Sequence, residues 1–156
     1  DDAGDQKRFL KWSAPLMPEN RAKSARLIRA AECGLTDTDY PSISIGNLSS
    51  HRAVSQKLGR DLSVLRWRTN IWLDGLAPWE EFDWIGRIIE IGEVQFEICE
   101  RVQRCLATTA NPETGLRDAD TLGILQTWDH QDFCVYARVL NAGTIHLNDS
   151  AKAPNP

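Results

Sequence analysis

Short apolar segments that alternate with polar residues constrain the fold of this chain more than any other feature. The run Val94–Ile98 places an apolar residue at every second position, and Ser42–Ile45 alternates in the same way. Because successive side chains of a strand point to opposite faces, each run predicts a half-buried β-strand. Further strand-like segments lie at 26–30, 64–73, 87–91, 133–140 and 144–147. Turns at Gly92 and at 141–143 predict two hairpins, one between 87–91 and 94–98 and one between 133–140 and 144–147. Together with two or three helices, they predict a β-rich α+β domain built on a barrel.

The length, charge and cysteine content of the chain exclude several classes of function. A chain of 156 residues with 42% hydrophobic residues is long enough for one domain with its own core. The net charge of -4 argues against general binding of nucleic acid, and the apolar runs are too short to span a bilayer. The four cysteines form no Cys-x-x-Cys pair, so free thiols in a cytoplasmic protein are favoured over a zinc site. A disulfide between Cys99 and Cys105 is the less favoured alternative.

Helical spacing of apolar residues predicts three helices. The first lies within residues 2–13 and is expected to place Trp12 in the core, and the third lies within Leu116–Trp128. The second starts at Asn47 or Ser49 and stops at Gly59. Because the free N–H groups and the dipole of a helix start attract negative charge, this turn is a candidate anion site, although most such turns are merely capped.

The segment 64–73 predicts one strand, which would place Arg66, Arg68 and Asn70 on the same face. Guanidinium and amide donors in a row suit a phosphate or an extended heterocycle. The alternative is the solvated outer face of a sheet. In the aromatic and acidic segment Pro78–Trp84, the tryptophans are expected to cover the core and the acids to pair with nearby arginines.

The stretch Arg101–Gly115 contains the most reactive group that the sequence offers. Arg101 and Arg104 flank Cys105, two threonines follow, and Asn-Pro-Glu-Thr-Gly predicts a turn. Positive charge stabilises a thiolate, which is the form that attacks electrophiles and binds soft metals. Cys105 is therefore a candidate nucleophile or metal ligand, and the alternative is a small buried hydrophobic residue.

Six segments, in one order along the chain, together resemble the MOSC domain family, which is named after the C-terminal domain of molybdenum cofactor sulfurases. The most specific is Arg104-Cys105-x-x-Thr108-Thr109, which continues through a Pro to Thr-Gly at 114–115. The others are Tyr40–Leu48, Arg68–Gly75, Pro78–Glu81, Asp132–Tyr136 and Gly143–Asp149. The resemblance covers residues 24–150; it leaves 1–23 as a helical lead-in to the same domain and 151–156 as a tail.

The resemblance implies a MOSC-type β-barrel with two or three flanking helices, and it implies that Cys105 is the central cysteine of the family. In the branch that looks most similar, which includes the mitochondrial amidoxime-reducing component, that cysteine ligates molybdenum held on a pyranopterin dithiolene, the molybdenum cofactor. A thiolate suits this thiophilic metal. By this resemblance, Arg68, Asn70, Arg104 and Tyr136 are expected to contact the cofactor. Asn47 is a further expected anion contact, because it lies at the start of the second helix.

The chain departs from the family pattern at three places. Position 134 is Cys where the family usually has Gly, so a side chain is expected to crowd the pocket near Tyr136 or to add a thiol there. Asn148 also stands where Gly is usual, and Asn tolerates a left-handed backbone. Family members further carry a basic N-terminal segment that helps to hold the cofactor, so the chain is expected to be the C-terminal part of a longer protein.

Three hypotheses from different classes follow. As an enzyme, the protein would remove oxygen from an N-hydroxylated small-molecule substrate, with electrons from a separate electron-transfer protein. As a carrier, it would hold a persulfide on Cys105 or deliver the cofactor without turnover. It would then receive sulfur, because no pyridoxal phosphate site is recognisable. As a scaffold, it would have lost activity, and Cys134 and the missing N-terminal segment are the features that favour this.

Overall fold

The computed structural model describes residues 2–29 and 36–152, which belong to two compact units, Asp1–Leu35 and Thr36–Pro156. In the described part of the chain, no helix is long and apolar enough to cross a membrane.

The first unit contains helix α1, Ala3–Ser13, followed by a 3₁₀ helix, Ala14–Leu16. Asp2 caps α1 by accepting a hydrogen bond from the amide of Gly4 at 2.9 Å, so the predicted start and end of this helix are confirmed. The prediction that Trp12 packs in the core is wrong. Its side chain is 66% exposed, and the one described ring that it meets is that of Phe9.

The strand predicted at 26–30 is also wrong for its described part. Residues 26–29 form no regular element, and Ala30 lies outside the described residues. A strand requires a partner for its backbone groups. Here the carbonyl of Leu27 instead accepts a hydrogen bond from the side chain of Gln6, at 3.0 Å.

The second unit is a nearly closed barrel formed by one mixed sheet of six strands. The strands are β1 (Ile43–Asn47), β2 (Ile71–Leu73), β3 (Ile88–Ile91), β4 (Val94–Gln103), β5 (Asp132–Val139) and β6 (Ala151–Lys152). Their order is β2-β1-β5-β4-β3-β6, and β1 with β2 is the parallel pair. The predicted barrel-type fold is confirmed.

Two helices of the second unit pack beside this sheet. Helix α2, Leu48–Leu58, starts at the end of β1 and stops as predicted at Gly59, which adopts a left-handed conformation with φ 74°. Helix α3, Thr121–Gln126, is shorter than predicted and is capped by Asp120. Three 3₁₀ helices, Val64–Trp67, Glu80–Trp84 and Leu106–Thr109, lie in the connections.

Two distinct clusters of buried residues form the interior of this unit. The sheet core contains side chains from β1 to β5 and from the segment before β3; its members are Ile45, Leu73, Phe82, Trp84, Ile89, Ile91, Val94, Phe96, Ile98, Val135 and Ala137. The aromatic core joins the sheet to α2, α3 and their connections; its members are Val54, Leu62, Trp67, Val102, Ala119, Leu125, Phe133 and Cys134.

The β3–β4 hairpin turns at Gly92 as predicted, but the second predicted hairpin does not form. Residues 144–147 are not a strand, and β6, which was predicted as part of a structureless tail, pairs with β3 instead. Asp149 stabilises the intervening turn by accepting a hydrogen bond from the amide of His146 at 2.7 Å. Asn148 in that turn has φ 73°, the left-handed conformation that its side chain tolerates.

Candidate functional site

The segment 64–73, predicted as one strand, folds as a 3₁₀ helix and a short strand separated by a left-handed residue. Arg68 has φ 51° and ends the 3₁₀ helix, whose start is capped by Ser63. This turn breaks the period-two pattern, so Arg66 and Arg68 do not share a face. Arg66 is buried, whereas Arg68 is exposed and its side chain has no polar partner among the described residues.

Arg104 lies at the centre of the predicted site residues. Its Nε donates to the carbonyl of Phe133 at 2.8 Å, and its Nη1 donates to the carbonyl of Trp67 at 2.9 Å. The guanidinium therefore ties the start of β5 to the residue that precedes Arg68. The Nη2 atom is buried and has no partner in the described part of the chain, which leaves one charged donor for a ligand.

The Trp67 side chain packs against a residue that holds the Arg104 guanidinium. Its ring stacks on Phe133 with a centroid distance of 3.8 Å, and its Nε1 donates to Nδ1 of His51 at 3.0 Å. His51, in the first turn of α2, is buried. Burial, assisted by the charge of Arg52, lowers the pKa of His51, so the ring stays neutral and its Nδ1 can accept.

Tyr136 and Asn70, two further predicted cofactor residues, lie next to Ser44 of β1. Ser44 pairs with Tyr136 in the register of these antiparallel strands, and Asn70 accepts hydrogen bonds from the amide and the hydroxyl of Ser44. The backbone amide of Asn70 donates to the carbonyl of Ser44 at 3.1 Å, whereas the side-chain nitrogen Nδ2 of Asn70 has no partner in the described part of the chain. Burial is the main cause that raises the pKa of Tyr136, and the Asp37 carboxylate adds to it, so its hydroxyl remains a proton donor.

Cys134 lies on β5 with Tyr136, at a position where the family usually has glycine. It has φ 71°, a conformation that favours glycine, and its buried Sγ is 2.9 Å from the Thr69 hydroxyl. Any side chain at Gly46 would meet this sulfur at 2.9 Å, so the crowding expected at position 134 is accommodated by a glycine on β1. Burial raises the pKa of the Cys134 thiol to about 11, which keeps it protonated.

Cys105 follows directly after Arg104, beyond the end of β4, and its side chain is exposed. It starts the 3₁₀ helix Leu106–Thr109, and its carbonyl accepts hydrogen bonds from the amide and the hydroxyl of Thr108. The neighbouring guanidinium groups bind elsewhere: that of Arg101 lies over the Phe82 ring at 4.4 Å. The alternative of a small buried hydrophobic residue is therefore wrong, and the thiol is available to solvent.

Asn47 does not join this group. Its side chain is fully buried, and it caps α2 by accepting from the amide of Ser49 at 2.8 Å. Its amide nitrogen donates to the carbonyl of Ala77 at 2.7 Å and to the carboxylate of Glu81 at 2.8 Å. Both polar atoms are thus bound within the protein, which does not support the anion contact predicted for Asn47.

Two site features were missed by sequence reasoning. Glu81 was expected to pair with an arginine, but it is buried and accepts hydrogen bonds from Asn47 and Ser50, and burial raises its pKa. The buried Arg66 forms an ion pair with the more exposed Asp118 across 52 residues of sequence. No local pattern signals these contacts, because each joins segments that are far apart in the chain.

Comparison with known proteins gives a consistent group of relatives. The MOSC domain family matches residues 37–152. The chain is 25% identical over 148 residues to mitochondrial amidoxime-reducing component 1 of Mus musculus, which covers 85% of this chain and 43% of that protein. It is 35% identical over 105 residues to molybdenum cofactor sulfurase of Drosophila grimshawi, with 62% of this chain and 13% of that protein covered. The chain thus spans less than half the length of these curated relatives.

A solved structure supports the fold. The crystal structure of YiiM from Geobacillus stearothermophilus matches with a TM-score of 0.53 and 19% identity, over 72% of this chain and 54% of that one.

Proposed function

This chain belongs to the MOSC domain family, and we propose on that basis that it binds molybdenum cofactor with Cys105 as the protein ligand to the metal. The observation that carries the proposal is the exposed Cys105 thiol, which directly follows an arginine with an unused buried donor. The relatives named for amidoxime reduction and for molybdenum cofactor sulfuration support the same cofactor.

The donor chemistry of the described residues fits such a group. A pyranopterin dithiolene carries an extended heterocycle and a phosphate, which guanidinium and amide donors recognise. Arg68, Arg104 and the amide of Asn70 would hold these parts, and Tyr136 would donate from its protonated hydroxyl. A soft thiolate from Cys105 would complete a sulfur-rich set of metal ligands. No group of three or more metal-ligating side chains occurs in residues 2–29 and 36–152.

The reaction that we propose is the reduction of an N-hydroxylated small molecule. An N–OH group, two electrons and two protons give N–H and water, and the electrons come from a separate electron-transfer protein. The bound cofactor would supply the two-electron redox chemistry. The residues of this chain would anchor and orient it, and the solvent-exposed side of Cys105 would leave the substrate a path to the metal.

The decisive measurement is the molybdenum and pterin content of the full-length protein, purified from a host that makes the cofactor. Cys105→Ser is the test variant, and Cys99→Ser is the matched control, because Cys99 is also a free thiol but lies within β4, six residues before Cys105. We expect near-stoichiometric molybdenum in the wild type and in Cys99→Ser, and loss of metal or an altered metal spectrum in Cys105→Ser. Absence of molybdenum from the wild type would refute the proposal.

A second function, sulfur carriage, is favoured by the exposure of the Cys105 thiol and by the sulfurase relatives. The Cys105 thiolate would then attack the outer sulfur of a persulfide on a separate donor protein, which forms the Cys105 persulfide and releases the donor thiolate. Mass spectrometry of the Cys105 peptide distinguishes the two functions: one added sulfur atom without molybdenum would support carriage, and an unmodified peptide would contradict it.

A further inference from the structure

Arg66 is the most deeply buried arginine side chain among the described ion pairs, and none of the proposed cofactor contacts uses it. Its side chain is 3% exposed. The Nη1 atom donates to the carbonyl of Thr109 at 3.1 Å, and the Nη2 atom donates to the carboxylate of Asp118 at 2.5 Å. One guanidinium fork therefore binds two points of the segment 105–118, which we call the cysteine loop.

The cysteine loop is built around the same two residues. The carbonyl of Thr109 also accepts from the amides of Asp118 at 3.1 Å and Ala119 at 3.4 Å, so it joins the 3₁₀ helix that follows Cys105 to the C-terminal end of the loop. A short bridge between Ala110 and Arg117 lies next to this junction. Holding the Thr109 carbonyl and the Asp118 carboxylate thus fixes the loop where it closes.

Arg66 also lies in the 3₁₀ helix that carries the opposite side of the candidate site. Trp67, the next residue, accepts the Arg104 hydrogen bond through its carbonyl, and Arg68 follows in its left-handed conformation. The Arg66 side chain is therefore a direct link between the segment that presents Arg68 and the loop that presents Cys105.

From this geometry we propose that Arg66 is a positioning residue, which holds the cysteine loop, and with it Cys105, in place relative to Arg68 and Arg104. The inference rests on the proposed function for its consequence at the cofactor. A lysine cannot replace Arg66 in this role, because a single ammonium group lacks the planar fork that reaches the carbonyl and the carboxylate together.

Arg60 provides a matched control, because it binds the same carboxylate from the surface. Its Nη2 is 3.1 Å from the other oxygen of Asp118, and its Nη1 donates to the Asp118 carbonyl at 3.0 Å. Its side chain is 46% exposed. An exposed ion pair of this kind contributes little to stability, whereas removal of a buried partner leaves polar groups unpaired.

The test is amide hydrogen exchange on the full-length protein, as wild type, Arg66→Met, Arg66→Lys and Arg60→Met. In both Arg66 variants we expect the amides of Asp118 and Ala119 to exchange at least about tenfold faster while the amides of β4 and β5 keep their protection. Arg60→Met should leave both regions as in the wild type. Unchanged exchange in the loop, or an equal loss of protection in loop and sheet, would overturn the proposal.

A metal readout separates this inference from the proposed function. When molybdenum is present, its electron paramagnetic resonance signal at equal metal content should differ between wild type and Arg66→Lys, and should be the same in wild type and Arg60→Met. An identical signal in Arg66→Lys would overturn the positioning role at the cofactor. If the wild type contains no molybdenum, the proposed function fails, and hydrogen exchange alone decides whether Arg66 holds the loop.

Discussion

The two clusters of buried residues in the barrel unit differ in what surrounds them. The sheet core is filled by side chains that alternate along regular strands, such as Val94, Phe96 and Ile98 on β4. The aromatic core is centred on the Trp67–Phe133 stack, and its neighbours are buried polar groups, among them His51 and Arg66. One region is apolar and regular, and the other combines aromatic rings with buried hydrogen-bonding groups.

Several predicted site residues lie at the aromatic core, and none belongs to the sheet core. The left-handed residues Arg68 and Cys134 lie at the aromatic core, as does Arg104 with its unused donor. Strained backbone and unsatisfied buried donors are costly, and they are concentrated where a protein binds a ligand. We therefore expect substitutions in the sheet core to affect stability alone, and substitutions in the aromatic core to affect stability and the site together.

The largest expected effects come from truncating one buried side chain in each core. Trp67→Ala should lower the free energy of unfolding by about 3–5 kcal/mol, and Ile98→Ala by about 2–5 kcal/mol, because each leaves a cavity. Both side chains are fully buried. Denaturant unfolding measures these losses, and molybdenum content at a temperature where both variants remain folded measures the effect on the site.

The two variants should differ in that second measurement. Trp67 stacks on Phe133, so its loss removes support from the Arg104 carbonyl contacts. Ile98 belongs to the sheet core, whose members include none of the predicted cofactor residues. Molybdenum content should fall in Trp67→Ala and remain near the wild-type value in Ile98→Ala. Equal losses of metal in both variants would show that the two cores do not have separate roles.

The same division explains how much of the structure the sequence predicts. The β3–β4 hairpin and α2 follow from local signals, namely alternation around Gly92 and the pair of Asn47 and Gly59 at the helix ends. The 3₁₀ helix at Arg66 does not. Its residues alternate like a strand, but Arg66 and Trp67 are both buried, and the partner of Arg66, Asp118, lies 52 residues away in the sequence, so no local pattern signals the contact. The flanking arginines mark Cys105 as a reactive thiol from the sequence alone. The cofactor roles of Cys105 and Arg104, and the departure at Cys134, come from family resemblance, and the contacts of all three required the three-dimensional structure.

A smaller effect is expected at Cys134. At this position a glycine variant should be more stable than an alanine variant, which is the reverse of the order expected at an ordinary strand position. Cys134→Gly should be about 1 kcal/mol more stable than Cys134→Ala, because alanine at φ 71° retains the left-handed penalty and glycine does not. Cys99, on β4 and without a positive φ, is the control position. There alanine should be the more stable replacement, since glycine weakens a strand. Thermal unfolding of the four variants measures both differences, and the same order at both positions would contradict the strain at Cys134.

The smallest expected effect is a pH dependence that belongs to the aromatic core. Burial lowers the pKa of His51 below its ordinary value, so the unfolded chain binds a proton at a higher pH than the folded one. The stability that depends on neutral His51 is therefore fully present above about pH 6.5 and is lost as the pH falls through the lowered pKa. A protonated ring would also present Nδ1–H to the Trp67 Nε1–H, two donors with no acceptor between them.

His51→Asn removes this titration and keeps an acceptor for Trp67, so the fall in unfolding free energy from about pH 7 to 5 should become shallower. His130→Asn is the matched control, because the pKa of His130 is also lowered but its ring is only half-buried and binds the amide of Asp132. Urea unfolding at several pH values gives both slopes, and we expect the larger change in His51→Asn. An unchanged slope in that variant would mean that the Trp67–His51 bond does not depend on a neutral ring. A larger change in His130→Asn would place the pH sensitivity outside the aromatic core.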